Sequence, residues 1–423
     1  MTGGTAVDAG LLSLFPDGTG VDGDGALTLQ GLRLSALAEQ YGTPVMVVDE
    51  DALRARARAF RDGLLRRRTR SSVAFASKSF PCTAIYRVLA DEGLHIDVAG
   101  GGELVTALAA GVPADRLVLH GNAKTDDELD RAVAAGVGTI VVDGWDDITR
   151  LERLGSHPHR VLLRVIPGVE APTLAAISTG HHGSKFGLSL DEADRALAHM
   201  RASGRFEVQG LHLHIGSQIL SLPVFADAVK AVAHLGTFDV YDVGGGLGMR
   251  YSRRDEAPTL DDYLDTLTIA AGDHLPSSAE LWIEPGRSLV SQAAVTLYRV
   301  VTVKRGDPAF VALDGGIADN LEASTYMGTR FDAALADRPT GGSPVELVGR
   351  QCESGDLFAS DLPLRDPRPG DVVAMPMTGA YTYPLLSNYN GALRPPIVFV
   401  AGGTARLVVR RETYEELTTR DVG

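Results

Sequence analysis

From residue 72 onward, short runs rich in Val, Ile and Leu alternate with stretches whose apolar residues recur at helical spacing, the pattern of repeated strand–helix units. Eight such runs can be read: SVAFASK (72–78), HIDVAG (95–100), LVLHG (117–121), TIVVDG (139–144), RVLLRVI (160–166), GLHLHIG (210–216), FDVYDVG (238–244) and LWIEPG (281–286). The first five recur at a regular interval, and eight parallel strands over roughly 250 residues are what closes a barrel. The chain is therefore expected to be α/β, with a (β/α)8 TIM-like barrel over residues 46–295; an open parallel sheet is the alternative. Past residue 295 the pattern changes to hairpin-like strands broken by Gly, Pro and Asp: AVTLYRVVTVKR, AFVALDGG, PVELVGR, DVVAMP, and PIVFVAGG paired with ARLVVRRE. This predicts an all-β domain. The first 45 residues hold one strand-like run, ALTLQG, and one amphipathic helix, LRLSALAEQYG, too little for a core of their own. They are expected to complete the C-terminal β-domain, which becomes discontinuous (1–45 and 296–423).

Composition narrows the class. With 423 residues, 44% of them hydrophobic and 22% charged, the chain can fill two cores and lacks the signature of disorder. Its 40 Lys and Arg stand against 54 Asp and Glu, a net charge of −14 with no basic block, so nucleic acid is not an expected partner. The 2 cysteines, Cys82 and Cys352, allow at most one bridge in a chain too long to depend on it, which fits a reducing cytoplasm. The N-terminal stretch MTGGTAVDAGLLSLFPDG has no basic residues ahead of an apolar run, and no spanning-length apolar segment occurs elsewhere, so neither export nor a membrane anchor is expected.

Barrel active sites form at the C-terminal ends of the strands, and here those ends are unusually polar. They read Lys78; Asp97, then GGGE to Glu103; His120 and Asn122; His214 and Ser217; Gly244, Gly245 and Gly246; Glu284 and Arg287. Singly, each has a bland reading, since a strand-end Lys is usually a solvated charge and a lone His usually a satisfied core residue. Together on one rim they point to chemistry. A Lys at a barrel mouth is the residue type that forms Schiff bases with carbonyl cofactors. The GGGLG turn after the seventh strand exposes consecutive backbone N–H groups where barrels bind phosphate. Glu284 adds an acid able to pair with a pyridine nitrogen. This combination specifies pyridoxal phosphate and calls for no metal.

The motifs FASKSF, HIDVAGGGEL, HGNAK, ISTGHHGSKFGL, HLHIGSQI, DVGGGLG, EPGRSLV, CESGDLF and GAYTYPLLSNYN resemble, in order and spacing over nearly the whole chain, those of the diaminopimelate decarboxylases within the fold-type III ornithine/diaminopimelate/arginine decarboxylases. The resemblance implies an alanine-racemase-like barrel and an amino-acid carboxy-lyase. It implies that Lys78 holds pyridoxal phosphate, that His214 stacks on its ring, and that Glu284 keeps the ring nitrogen protonated. Gly245, Gly246 and Tyr381 match phosphate contacts, with Ser217 beside them. Cys352 and Glu353 match residues that reach into the other subunit's active site, implying a homodimer with shared sites and a proton-delivering role for Cys352. Asp97 and Glu103 are left as structural neighbours.

One departure concerns the substrate. Where the family reads Arg-Pro three residues before a Tyr, its Arg joining the EPGR Arg (here Arg287) on the substrate's distal carboxylate, this chain reads DGGIADNLEASTY. Tyr326 is kept, but Glu322 stands at the Arg position and Ala323 at the Pro. An anion in place of a cationic clamp should repel a distal carboxylate. The expected substrate is then a diamino acid such as lysine or ornithine, in the L or D form, or a specialised-pathway amino acid. The alternatives are decarboxylation of meso-diaminopimelate to L-lysine, with Arg330 supplying the charge, an amino-acid racemase, and an inactive homologue.

Overall fold

The computed structural model describes residues 7–155, 157–170, 179–180, 183–324 and 328–423. It divides into two compact units, one of residues 56–249 and 256–289, the other of residues 1–55, 250–255 and 290–423.

The first unit is the closed eight-stranded parallel barrel that the apolar runs predict. Its strands are β1 (Ser71–Ala76), β2 (His95–Val98), β3 (Leu117–Leu119), β4 (Thr139–Val142), β5 (His159–Arg164), β6 (Phe206–His212), β7 (Val240–Asp242) and β8 (Glu280–Ile283), and β8 pairs with β1 to close the ring. Register sets the interior in layers, because residues opposite each other on parallel neighbours share a face. Val118, Val141, Leu162, Val240 and Trp282 form an apolar plug. One pleat further toward the C-terminal ends, Arg164 faces His212 and His212 faces Asp242, so the next layer is charged. Local chemistry seats the helices between strands. Thr125 and Glu128 form a reciprocal capping box at the start of the helix Asp126–Ala135, and Glu128 also accepts from the Gly101 N–H at 2.9 Å, pinning the Gly-rich turn after β2.

The second unit is built on a nine-stranded sheet. At its centre Ala294–Lys304 pairs antiparallel with Val372–Pro376 and with Val45–Asp49, and Val45–Asp49 runs parallel to Ile397–Ala401. Ile397–Ala401 and Thr404–Val409 form the hairpin read from the sequence. The N-terminal segment joins this unit as expected: Phe15, Leu27, Leu29, Leu34 and Leu37 share one core with Val295, Leu297, Val398 and Val400.

The boundaries expected at 46 and 295 move. Val45–Asp49, read as the entry to the barrel, is a central strand of the sheet, and the barrel unit begins at Arg56 and ends at Leu289. All five residues of that strand are buried, so it shows the unbroken apolar run of a barrel strand rather than the alternation of a half-exposed one. The strand Leu357–Leu364, directly after CESGD, was not read from the sequence because charged and small residues interrupt it. Among the described residues no helix is long and apolar enough to cross a membrane.

If the N-terminal segment belongs to the sheet core, Leu29→Ala should cost about 2–5 kcal/mol in denaturant unfolding, whereas the half-exposed Leu407→Ala should stay within about 0.5 kcal/mol. Equal effects would contradict that packing.

Candidate active site

Lys78 sits in the turn Ser77–Ser79 that ends β1, exposed between buried neighbours, and its side chain makes no hydrogen bond or ion pair among the described residues. The turn itself is braced, since Glu103 accepts from Ser77 Oγ and from the Ala99 N–H, both at 2.7 Å. Glu103 therefore fixes the backbone from which Lys78 projects. A primary amine at an open rim, on a rigid base, can reach and hold a carbonyl group.

His214 follows β6 and accepts from the Gly245 N–H through Nδ1 at 3.2 Å. That bond assigns the proton to Nε2. Burial pushes this imidazole well below its usual range, helped by the positive charges of Lys78 and Arg164, so the ring is neutral. The turn has no room for side chains. A Cβ on Gly245 would run into the carbonyl of Glu284, and Gly244 and Gly246 have φ of +68° and +114°. Asp242 shapes it by accepting from the Gly244 N–H at 2.9 Å. Close by, Arg287 Nε lies 3.4 Å from Ser217 Oγ. Lys78, His214, Ser217, Gly245, Gly246, Glu284 and Arg287 thus all belong to the C-terminal rim of the barrel.

Glu284 lies below them and is 5% exposed. His212 Nε2 is 3.1 Å from Oε2 and His120 Nε2 is 2.8 Å from Oε1. Burial works to raise this carboxyl, and the neighbouring imidazoles of His120 and His212 overcome it and hold Glu284 well below the usual carboxylate range. Burial and the charge of Glu284 push Asp242 the other way, well above its usual value, so it stays protonated. His120, His212 and Glu284 place donor atoms within 4.8 Å of one another, a closeness that two imidazoles serving one carboxylate account for without an ion.

These residues fit pyridoxal phosphate on an observation of their own. His120 Nε2 stands 2.8 Å from Glu284 Oε1 but is poorly aligned on it, so this buried oxygen has no well-made hydrogen bond among the described residues. A donor is missing there, and a protonated ring nitrogen is one. Gly244–Gly246 leave the backbone open to a phosphate, and Lys78 is the amine.

In the sheet unit, the candidates lie on three loops tied to one another. Glu322 sits in the turn Leu321–Ala323 and is 3% exposed. Asn320 accepts from the Ala323 N–H to hold that turn, and Thr382 Oγ1 donates to the same Asn320 oxygen at 3.5 Å, joining the Tyr381 loop to it. Cys352 and Glu353 are exposed. The Cys352 N–H donates to Asn390 Oδ1 at 3.1 Å, and Tyr389 Oη donates to Glu353. Tyr381 has φ +59°, costly for a bulky residue and the kind of outlier that collects at ligand contacts. Tyr326 lies outside the described residues, as does part of ISTGHHGSKFGL. Arg330 is exposed and pairs with no acid among the described residues.

Three groups escaped the sequence reading. His212 was visible in principle, because HLHIG puts two histidines on the same face of one strand. Asp97, left as a neighbour, instead approaches His120 at 3.7 Å. Asp356, the acid of CESGD, accepts from the Gln351 N–H at 2.8 Å and the Ile317 N–H at 2.9 Å, so it clamps the CESGD loop to the DGGIADN loop.

Comparison with known proteins shows the family. Residues 50–291 match the family model described as the pyridoxal binding domain of pyridoxal-dependent decarboxylases. The chain is 42% identical to the diaminopimelate decarboxylase of Actinosynnema pretiosum over 100% of this chain and 98% of that one, and 39% identical to that of Bacillus subtilis over 94% and 95%. It belongs to the diaminopimelate decarboxylase family of pyridoxal-dependent decarboxylases. A solved family member, the M. jannaschii enzyme in co-complex with L-lysine, superposes with a TM-score of 0.88 at 29% identity, covering 96% of this chain and 98% of that one. Family membership makes the chain a carboxy-lyase that uses pyridoxal phosphate, as the barrel motifs imply.

With Lys78 as the holding amine, the purified protein should be yellow, and Lys78→Ala should lose the bound-cofactor absorbance band while keeping its far-ultraviolet circular dichroism. A folded Lys78→Ala protein with an unchanged band would contradict the assignment.

Proposed function

We propose that the protein decarboxylates an amino acid whose far end carries an ammonium rather than a second amino-acid group, such as lysine or ornithine, in the L or D form. The observation that carries this reading is Glu322, a buried carboxylate at the position where the family pattern has an Arg. A distal ammonium gains from a buried anion, and a distal carboxylate is repelled by it, a difference of about 2–5 kcal/mol for a desolvated pair. Arg330 does not favour the rival reading, since it is exposed eight residues further on. Decarboxylation of meso-diaminopimelate to L-lysine is the second reading, supported by identities of 39–42% over nearly the full length to enzymes of that name.

The catalytic roles follow from the chemistry of the side chains. Pyridoxal phosphate, when bound, supplies an electron sink conjugated to the amino acid's α-carbon. Lys78 would hold it, Gly245, Gly246, Ser217 and Tyr381 would receive its phosphate, and the neutral ring of His214 would cover one face. Glu284, kept ionised, holds a proton on the ring nitrogen so that electrons can flow inward. Breaking the bond from the α-carbon to the carboxylate would release CO2 and leave an electron pair for the bound group to accept, and a proton would then have to be delivered to that carbon. Cys352 is the proposed donor, beside Glu353 on the same fixed loop, with Arg287 and Tyr326 at the substrate. We place Cys352 and Glu353 in the barrel of a second copy, so that the active unit is a homodimer. Their exposure on a loop held by Asn390 and Tyr389 suits a residue pair presented to a partner.

Glu322→Arg should raise kcat/KM for meso-diaminopimelate and lower it for lysine or ornithine, each about tenfold or more. The reading fails if the unaltered enzyme turns over meso-diaminopimelate at about 10⁴ M⁻¹s⁻¹ or above and ignores the simpler diamino acids. For shared sites, mixing inactive Lys78→Ala with inactive Cys352→Ala should restore up to about a quarter of the activity, because half the dimers are mixed and each has one intact site. No recovery after verified subunit exchange would count against them.

A further inference from the structure

More ionisable side chains surround Glu284 than are needed to hold a proton on a ring nitrogen. His120 Nε2 lies 2.8 Å from Glu284 Oε1 and 3.7 Å from Asp97 Oδ1, while His212 Nε2 lies 3.1 Å from Glu284 Oε2. The two imidazoles meet edge to face with centroids 4.8 Å apart. All four side chains are buried.

We propose that His120 is a positioning residue for the electron sink: with Glu284 and Asp97 both at its Nε2, it carries the positive charge that keeps the Glu284 carboxylate ionised, while His212 is a neutral donor to the other oxygen. A carboxylate in a buried layer takes up a proton unless a cation is placed beside it. Among the described residues nearby, Arg164 and Lys124 each have an acid of their own, and Lys78 stands at the exposed rim. Arg164 lies 3.7 Å from Asp143 and stacks over Phe186 at 4.4 Å. Lys124 donates to Asp147 at 2.6 Å. That leaves the two histidines, and their surroundings differ. His212 has Glu284 on one side and an Nδ1 without a partner among the described residues on the other. His120 has two acids near the one nitrogen, Glu284 at 2.8 Å and Asp97 at 3.7 Å from Nε2.

The titrations agree with the geometry. Burial pushes His212 down to about 4, against the pull of Glu284. Burial acts on His120 in the same direction, but the charges of Asp97 and Glu284 reverse it and raise this imidazole. The groups facing the cluster are Asp97 from β2, Arg164 from β5, His212 from β6, Asp242 from β7 and Glu284 at the end of β8. Asp242 is protonated and adds no second anion. Asp97, raised to about 7 mainly by burial, is a weaker anion than Glu284 and lies further from His120. The arrangement then contains one firm anion, Glu284, and one cation made for it.

The inference concerns the barrel alone and does not depend on the substrate reading. It is tested first by ¹⁵N NMR of histidine-labelled protein, with and without pyridoxal phosphate. His120 should carry protons on both ring nitrogens at pH 7 and His212 on one; a neutral His120 in both forms overturns the proposal. His120→Gln keeps a donor and removes the charge. It should weaken pyridoxal phosphate binding about 10- to 100-fold and lower kcat, with KM for the amino acid held within about twofold. Because the raised imidazole loses its proton as pH rises, cofactor affinity of the native protein should fall on the alkaline side, and His120→Gln should lack that limb. A His120→Gln protein that only melts earlier, with unchanged cofactor affinity, would make His120 a packing residue and overturn the proposal. If that variant does not fold, Asp97→Asn should show a smaller loss of cofactor affinity in the same assay, and the NMR of the unaltered protein decides independently. A stoichiometric divalent metal held by His120, His212 and Glu284 would also contradict it.

Discussion

The barrel is organised around one demand, that a carboxylate remain charged in a place where water cannot reach it. Glu284 is on the floor of the site, and an acid so placed is neutral by default. The layer around it answers that default. His120 stands beside one oxygen and His212 hydrogen-bonds to the other, Asp242 is pushed toward its neutral form, and the apolar plug of Val118, Val141, Leu162, Val240 and Trp282 lies one pleat further in. The plug keeps water out of the barrel interior, and low polarity strengthens every interaction in the layer next to it. Removing one member of the layer would leave another buried and unsatisfied, so its parts are best understood as one network.

The rim has the opposite character. Lys78, His214 and the Gly244–Gly246 turn are held by short local devices: Glu103 on Ser77, the Gly245 N–H on His214, Asp242 on Gly244. Each fixes a direction without filling the space where a ligand must sit, which is how a preorganised site avoids reorganising during reaction. The sheet unit shows the same economy in its loops, where Asp356 and Asn390 bind backbone to backbone and leave Cys352 and Glu353 exposed. The family supplies the carboxy-lyase chemistry through the barrel, and the proposed substrate preference rests on Glu322, buried in a turn that Asn320 holds.

How much of this was legible in the sequence depended on periodicity. All eight barrel strands were readable because each is a short apolar run bounded by turn residues, and the rim residues because they end those runs. Val45–Asp49 was assigned to the wrong unit because burial on both faces makes a central sheet strand look like a barrel strand. Glu284 could be named from its motif, but the reason it stays ionised could not, since His120, His212 and Asp97 come from three strands whose register only folding defines. Asp356 was hidden for a related reason, because its work is done on backbone N–H groups that no motif displays.

The central claim is that this buried network holds a proton on the cofactor's ring nitrogen, and ¹⁵N NMR of the protein loaded with pyridoxal phosphate labelled at that nitrogen tests it most directly. The account predicts a protonated ring nitrogen in the unaltered protein near neutral pH and an unprotonated one in Glu284→Gln. An unprotonated ring nitrogen in the unaltered protein, or the same protonated signal in Glu284→Gln, would contradict it.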